Sequence, residues 1–427
     1  MDAALPPGRI GARLLADATG IDCETAHRPA SPGTPPHTPS LILNNLPKAI
    51  FWGSAGLLVY TQAGYPLLLA GLARVRGSAA APEPAAPHAA GEEPYVTLAI
   101  AAHREGDVIA AKVADARAID WPAERLEVLV ACDGSPDDTA ERARSAGADV
   151  VLELPWGGKV RAQDAAVRAA DPRSTIIAFS DANSSWDPDA LRALVARLRS
   201  APDIAYACGQ VRFVNPDGGT NQEGLYWRME MWIRALESRL ASVTGGNGAI
   251  YALRREDYIE VDPVMGHDLA FPFNLVKRGR RAVYEPAARA TEKMVPSIEG
   301  EFTRKRRMMS HAWPIVLRGG MLSPRGYPPR YALMIASHRV LRYAAPFLHV
   351  VCLVANAALL GEGPVYVIAF AAQVGLLAAA FAGGRVRSRP LLVARYYVLT
   401  NASVAAGLYD HLRHGTPAGW APPEGTR

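Results

Sequence analysis

The sequence predicts an α/β fold, a mostly parallel sheet flanked by helices, carried between membrane-crossing segments at both ends. Three observations lead there. Residues 95–330 alternate short β-type runs with charged, Ala/Leu-periodic helical runs, the pattern of strands joined by crossover helices. On either side lie charge-free apolar stretches about 20 residues long, the length that spans a bilayer core. The chain of 427 residues is also long enough for one large catalytic domain plus extra elements.

Taken in order, residues 1–45 are polar and Pro-rich, carry Arg28-Pro-Ala-Ser-Pro-Gly-Thr-Pro-Pro, and show no hydrophobic periodicity. They read as a disordered leader without the apolar core of a cleavable signal peptide. No charge falls between Lys48 and Arg74, so 46–76 is expected to be a transmembrane helix, with a buried core helix as the alternative. An Ala/Pro/Gly linker follows over 77–94. Strands are expected at Tyr95–Ala101, Glu127–Ala131, Val150–Leu152, Ile176–Ser180 and Ala249–Leu253. Helices are expected at Val108–Ile119, Thr139–Ala146, Lys159–Ala170, Pro188–Ser200 and Leu225–Ala241. Ligands of such a sheet bind at the carboxyl edge of its strands.

Residues 331–342, with Arg339 and Arg342 among apolar neighbours, read as an interfacial helix. Within 343–412, read as C-terminal transmembrane helices, Tyr343–Leu360 and Pro364–Ala382 are charge-free and separated only by Gly361, Glu362 and Gly363. That makes a tight hairpin. Arg385, Arg387 and Arg389 follow it, and a Lys/Arg excess marks the cytoplasmic side. The expectation is a multi-pass protein of the inner (plasma) membrane with a cytoplasmic catalytic domain. Leu391–Leu412 holds Arg395, Asp410 and His411; it either spans or lies in the interface, with spanning preferred, before a tail at 413–427.

Composition narrows the function classes. Hydrophobic residues make up 49% and charged residues 20%, with a net charge of +5. No Lys/Arg block is interleaved with aromatics, which argues against a nucleic-acid partner; anionic lipid and diphosphate substrates account for the basic excess. Cys23, Cys132, Cys208 and Cys352 have no zinc-ligand spacing and are too few for a disulfide framework. They read as reduced thiols.

Five features sit at strand ends. Asp133, in Ala-Cys-Asp-Gly-Ser, offers acceptor oxygens to a base or ribose, or closes an ordinary Asx-turn. Asp181 and Asn183 point the same way on an extended segment. Such a pair can hold Mg2+ or Mn2+ against a diphosphate, or belong to the N-cap region of the next helix. Trp156-Gly-Gly-Lys159 can cradle phosphate through N–H groups and the Lys charge, or be a plain turn. Thr244-Gly245-Gly246-Asn247-Gly248 allows close approach to a ligand, or makes a hairpin. Asp268 is either a helix N-cap or a general base. Its neighbour His267 either tunes that base or is a surface histidine, the reading preferred.

Together and in this order, these features resemble the family 2 glycosyltransferases, inverting enzymes with the GT-A fold, over Tyr95–Trp313. Ala102-His103-Arg104-Glu105 looks like the family's first nucleotide-binding turn. The resemblance implies a nucleotide-sugar site of Asp133, Lys159, Asp181, Arg304 and Arg307, and a metal site of Asp181 with Asn183. It further implies an acceptor loop of Gly246, Asn247 and Gly248, and Asp268 as catalytic base. Arg304–Arg307 resembles the basic segment before the membrane helices of synthase-like members, with lipid headgroups as the alternative partner. Implied with it are a Mg2+ or Mn2+ cofactor, a nucleotide-sugar donor (UDP being the family's commonest) and a lipid or saccharide acceptor. The expected activity is hexosyl transfer in polysaccharide or glycolipid synthesis. Asn183 replaces the second Asp of the metal motif, His267 stands where Glu, Asp or Thr is common, and Met308 replaces the Trp of Gln-x-x-Arg-Trp. The last change argues for single or few transfers over polymerisation. Two rivals are weighed. A nucleotidyltransferase would need a Gly-rich loop where Ala-Ala-His103-Arg104-Glu105-Gly stands. A degenerate membrane scaffold would have no need of Asp133, Asp181 and Asp268 together.

Overall fold

The computed structural model describes residues 39–76, 93–214, 223–293, 295 and 297–419. Most of the expected leader and linker, and Cys23, lie outside these. The chain opens with α1 (Pro39–Val59), which begins inside the segment read as leader, and a π-turn at Tyr60–Gly64 leads into α2 (Tyr65–Val75). The α/β region follows as β1 (Val96–Ala102), α3 (Gly106–Arg117), β2 (Leu126–Asp133), α4 (Thr139–Ser145), β3 (Val150–Leu154) and α5 (Lys159–Ala169). It continues through β4 (Ile176–Asp181), β5 (Ser185–Trp186), α6 (Ala190–Arg199), β6 (Ile204–Val214), α7 (Glu223–Leu240), β7 (Ile250–Arg254), α8 (His267–Lys277) and β8 (Arg281–Lys293). The remainder is helical: α9 (Ile298–Leu317), α10 (Pro329–Met334), a π-turn at Ile335–Val340, α11 (Leu341–Ala357), α12 (Pro364–Ala382) and α13 (Arg389–His414).

The eight strands form one mixed sheet in the order β3-β2-β1-β4-β7-β6-β8-β5. The half made of β1 to β4 is parallel, as the alternation predicts, whereas β7 runs antiparallel to both β4 and β6. Successive side chains of a strand point to opposite faces, so β1 feeds two cores. Leu98 and Ile100 pack with Ile109 of α3 and Leu194 of α6. Ala99 packs with Ala162 of α5 and Phe271 of α8. Because β7 is reversed, the loop before it and the ends of β1, β2, β4 and β8 meet at one edge.

Four helices, Asn45–Val75, Pro329–Ala357, Pro364–Ala382 and Arg389–His414, are long and apolar enough to cross a membrane. The first two are tied to the α/β region at one end: Arg76 donates to Leu240 O at 3.0 Å, and Tyr331 to Val243 O at 3.0 Å. At the other end Lys48 pairs with Glu362 of the α11–α12 loop at 2.9 Å. α13 behaves differently. Arg395 pairs with Glu299 and Asp410 with Arg306, both at 2.6 Å, and Trp313 Nε1 donates to Val404 O at 3.0 Å. Both ends of α13 therefore rest on the charged helix α9.

Candidate active site

The carboxyl edge of the sheet gathers the residues singled out by sequence. Asp133 ends β2, and its two carboxylate oxygens accept from Gly157 N at 2.7 Å and Gly158 N at 2.8 Å. Gly158 takes φ +97° to present that N–H, a left-handed value that favours glycine. These charge-assisted bonds make Asp133 the brace of the Trp156–Lys159 turn.

The turn starts α5 with Lys159, whose Nζ pairs with Asp181 Oδ1 at the end of β4. Burial works against the Lys159 charge, but Asp181, with Asp268 and Glu292 behind it, more than offsets this and the pKa is raised. The glycine loop closes over this pair: a Cβ on Gly248 would stand 3.2 Å from Lys159 Nζ and 3.6 Å from Asp181 Oδ2. Asn247 braces that loop, donating to Gly209 O at 2.6 Å and accepting from Ile250 N at 3.0 Å. Gly246 N donates to Asp268 O at 2.7 Å, tying the loop to α8.

Asp268 is the second residue of α8, where unpaired N–H groups and the helix dipole favour a carboxylate. The surface reading of His267 is corrected: it is buried, stacked on Phe271 with ring centroids 4.1 Å apart, and bonded through Nδ1 to Tyr251 Oη at 2.9 Å. Burial, with Lys159 nearby, lowers its pKa to about 3, so it is a neutral part of the core beneath Asp268.

On α9, Arg304 and Arg307 lie three residues apart and so share a face, which borders the same cavity. Arg304 chelates Glu301 through two bonds of 2.7 Å, and burial together with Arg304 pushes the Arg307 pKa down. Arg306 turns the other way to Asp410. The basic segment is thus split between site and scaffold.

These groups line one cavity of about 490 Å³. Every residue assigned by sequence borders it except Asp133, which stands further along the edge. Arg339, Arg342 and Tyr343, with Tyr396, Thr400 and Ser403 of α13, form its far wall. Glu292 of β8 also lines it and was not among the sequence candidates. Burial and the nearby Asp181 raise its pKa to about 7. Its only sequence signal is a place near the end of a strand that local pattern does not reveal. A second cavity, of about 580 Å³, lies beside Gly134 and Trp156 on the same edge.

Among the described residues no three His, Cys, Asp or Glu side chains converge as a ready-made metal group. Asp181 and Asn183 nonetheless share the cavity wall. Two hard oxygen donors fit a divalent cation that takes further ligands from water and a diphosphate.

Residues 97–261 match the family model described as Glycosyl transferase family 2. The chain is similar to a mannosyltransferase from Pyrobaculum calidifontis, solved in complex with GDP-Man and Mn2+. The identity is 21% and the TM-score 0.65, over 86% of this chain and 99% of that one. It is also similar to glucosyl-3-phosphoglycerate synthase from Mycobacterium tuberculosis, at 19% identity and a TM-score of 0.38, over 55% and 81%. No curated protein matches the chain. The archaeal structure shows the fold, GT-A, over nearly the whole of its own length.

Proposed function

We propose that this chain, which carries a family 2 glycosyltransferase domain over residues 97–261, transfers a hexose from a nucleotide-sugar to an acceptor hydroxyl at the cytoplasmic face of a membrane. One observation carries the reading: Lys159, Asp181 and Asp268 share a single cavity whose opposite wall is built by Tyr343 and α13.

The chemistry follows from that placement. The donor diphosphate lies toward Lys159, Arg304 and Arg307, whose charges stabilise the nucleoside diphosphate as it departs. Mg2+ or Mn2+ held by Asp181 and Asn183 would add charge neutralisation on those phosphate oxygens. Asp268 accepts the proton of the acceptor hydroxyl. The oxygen then attacks the anomeric carbon from the face opposite the leaving group, the bond to phosphate breaks, and the configuration inverts. Asp133 supports this from behind by fixing the turn that carries Lys159. The acceptor, a lipid or a saccharide, enters from the side of Arg339, Arg342 and Tyr343. In this reading 45–75, 329–357 and 364–382 cross the membrane, and α13 lies along the catalytic domain at the interface.

The test is transfer of labelled hexose from UDP- and GDP-sugars by the purified protein with Mn2+. Donors of both kinds belong in the panel, because UDP is the family's commonest nucleotide and the Pyrobaculum neighbour was solved with GDP-Man. Asp268→Asn should lower turnover by about 100-fold or more, the usual weight of a general base. Turnover by that variant at the native rate would remove Asp268 from the role.

A further inference from the structure

The chain beyond α13 returns to the sheet edge. Thr416 Oγ1 donates to Ser310 O of α9 at 2.8 Å and meets His411 Nδ1 at 2.9 Å, which fixes where the tail leaves the helix. The next three residues cross the Trp156–Lys159 turn. A Cβ on Gly158 would stand 2.0 Å from Ala418 O, and one on Gly419 only 2.1 Å from Cζ2 of Trp156. The Ala418 carbonyl therefore rests on Gly158, and Gly419 packs on the indole. Even with the tail in place Trp156 stays 61% exposed, so much of the indole face is left open.

The tail also walls both cavities. Ala418 borders the first, with Lys159 and Asp181, while Pro417 and Gly419 border the second, with His103, Arg104 and Trp156. Arg104 is the one non-glycine residue with a positive φ, +55°, among those described. Such backbone strain in a sheet-edge turn accords with a ligand site. Trp156 and Lys159 belong to one turn, so a donor whose diphosphate lies at Lys159 has the second cavity beside it on the same edge.

We propose that Pro417–Gly419, from outside the catalytic domain, complete the nucleobase subsite of the donor: the base occupies the edge cavity that Trp156 and this tail enclose. The assignment rests on the glycosyltransferase reading. It makes donor affinity depend on the seating of α13 against α9, since that contact delivers the tail.

The experiment compares the full chain with a chain ending at Thr416, which keeps the bonds to Ser310 and His411. UDP and GDP binding is measured by calorimetry in detergent with Mn2+, beside donor KM and kcat. Loss of one wall of a stacking site should weaken the nucleotide Kd and raise donor KM by roughly tenfold, with kcat at saturating donor little changed. The melting temperature without nucleotide should stay the same. Trp156→Ala, with the tail intact, should weaken nucleotide binding to a similar degree. If the shortened chain binds nucleotide as tightly as the full chain, the tail is no wall of the subsite. If it binds more tightly, the tail is a plug, and the proposal fails equally. A full chain that binds neither nucleotide overturns the glycosyltransferase reading and this assignment with it, which separates the two failures.

Discussion

At the scale of single residues, side chains that look like ligand contacts in the sequence divide into those that face the cavity and those that hold it open. Lys159, Asp181 and Asp268 face it. Asp133 and Asn247 spend their polar atoms on backbone groups, of the Trp156–Lys159 turn and of strands β6 and β7 respectively, and sequence cannot separate the two uses because both need a short polar side chain at a strand end. His267 is the clearest case of an interior role. Its pKa drops from 6.5 to about 3 on folding, so below pH 6.5 the unfolded chain binds a proton that the native chain does not. Stability therefore falls as pH falls, by about 1.4 kcal/mol per pH unit from this residue alone. His267→Gln should unfold at a lower temperature at pH 7 yet lose less between pH 7 and pH 5. Thermal unfolding of both proteins in detergent reads this directly. Parallel losses with pH in both would mean that other groups carry the dependence.

At the scale of elements, α13 shows how far composition leads and where packing takes over. Its length and apolar character are those of a membrane span, and the sequence reading preferred that outcome. Its ion pairs with α9 also tie it to the α/β region. The contact is close at Gly407, where a Cβ would meet Met309 Cβ at 2.6 Å and Arg306 O at 2.8 Å. Gly407→Leu should push the helices apart and cost about 1–3 kcal/mol, the usual price of overpacking, seen as a lower melting temperature. An unchanged melting temperature would show that the two helices do not pack as closely as described. The parallel half of the sheet was legible because β1, β2 and β4 are buried on both faces and read as continuous apolar runs. β8 was not: Arg281–Lys293 contains Pro286 and several charges, poor strand formers that pair only because β6 and β5 flank them. Glu292 was missed for the same reason. α9 was legible only as a basic segment, since its partner face is built from residues about 100 positions away, such as Asp410.

At the scale of the whole molecule, the proposed topology gives the two ends of the C-terminal helical region different addresses. In intact cells making the protein with its four native cysteines replaced by serine, an impermeant thiol reagent should label Glu362→Cys from outside and reach His414→Cys only after permeabilisation. Labelling of both without permeabilisation would make α13 a crossing helix. Two of the long apolar helices also carry π-turns, Tyr60–Gly64 and Ile335–Val340, which touch where Tyr60 Oη and Ser337 Oγ stand 2.8 Å apart. A π-turn holds one residue more than the α-helical turn it replaces. Each is thus an insertion in the helical count, and removing one residue would restore an ordinary α-helix with a different phase. Deleting Ala336 should turn Arg339 and Arg342 by about 100° relative to Tyr331 and Met334. That would carry both guanidinium groups off the acceptor wall and leave Asp181, Lys159 and the nucleotide edge untouched. The expected signature is a protein that still binds nucleoside diphosphate but no longer transfers sugar: a one-residue change in phase that separates recognition of the donor from use of the acceptor.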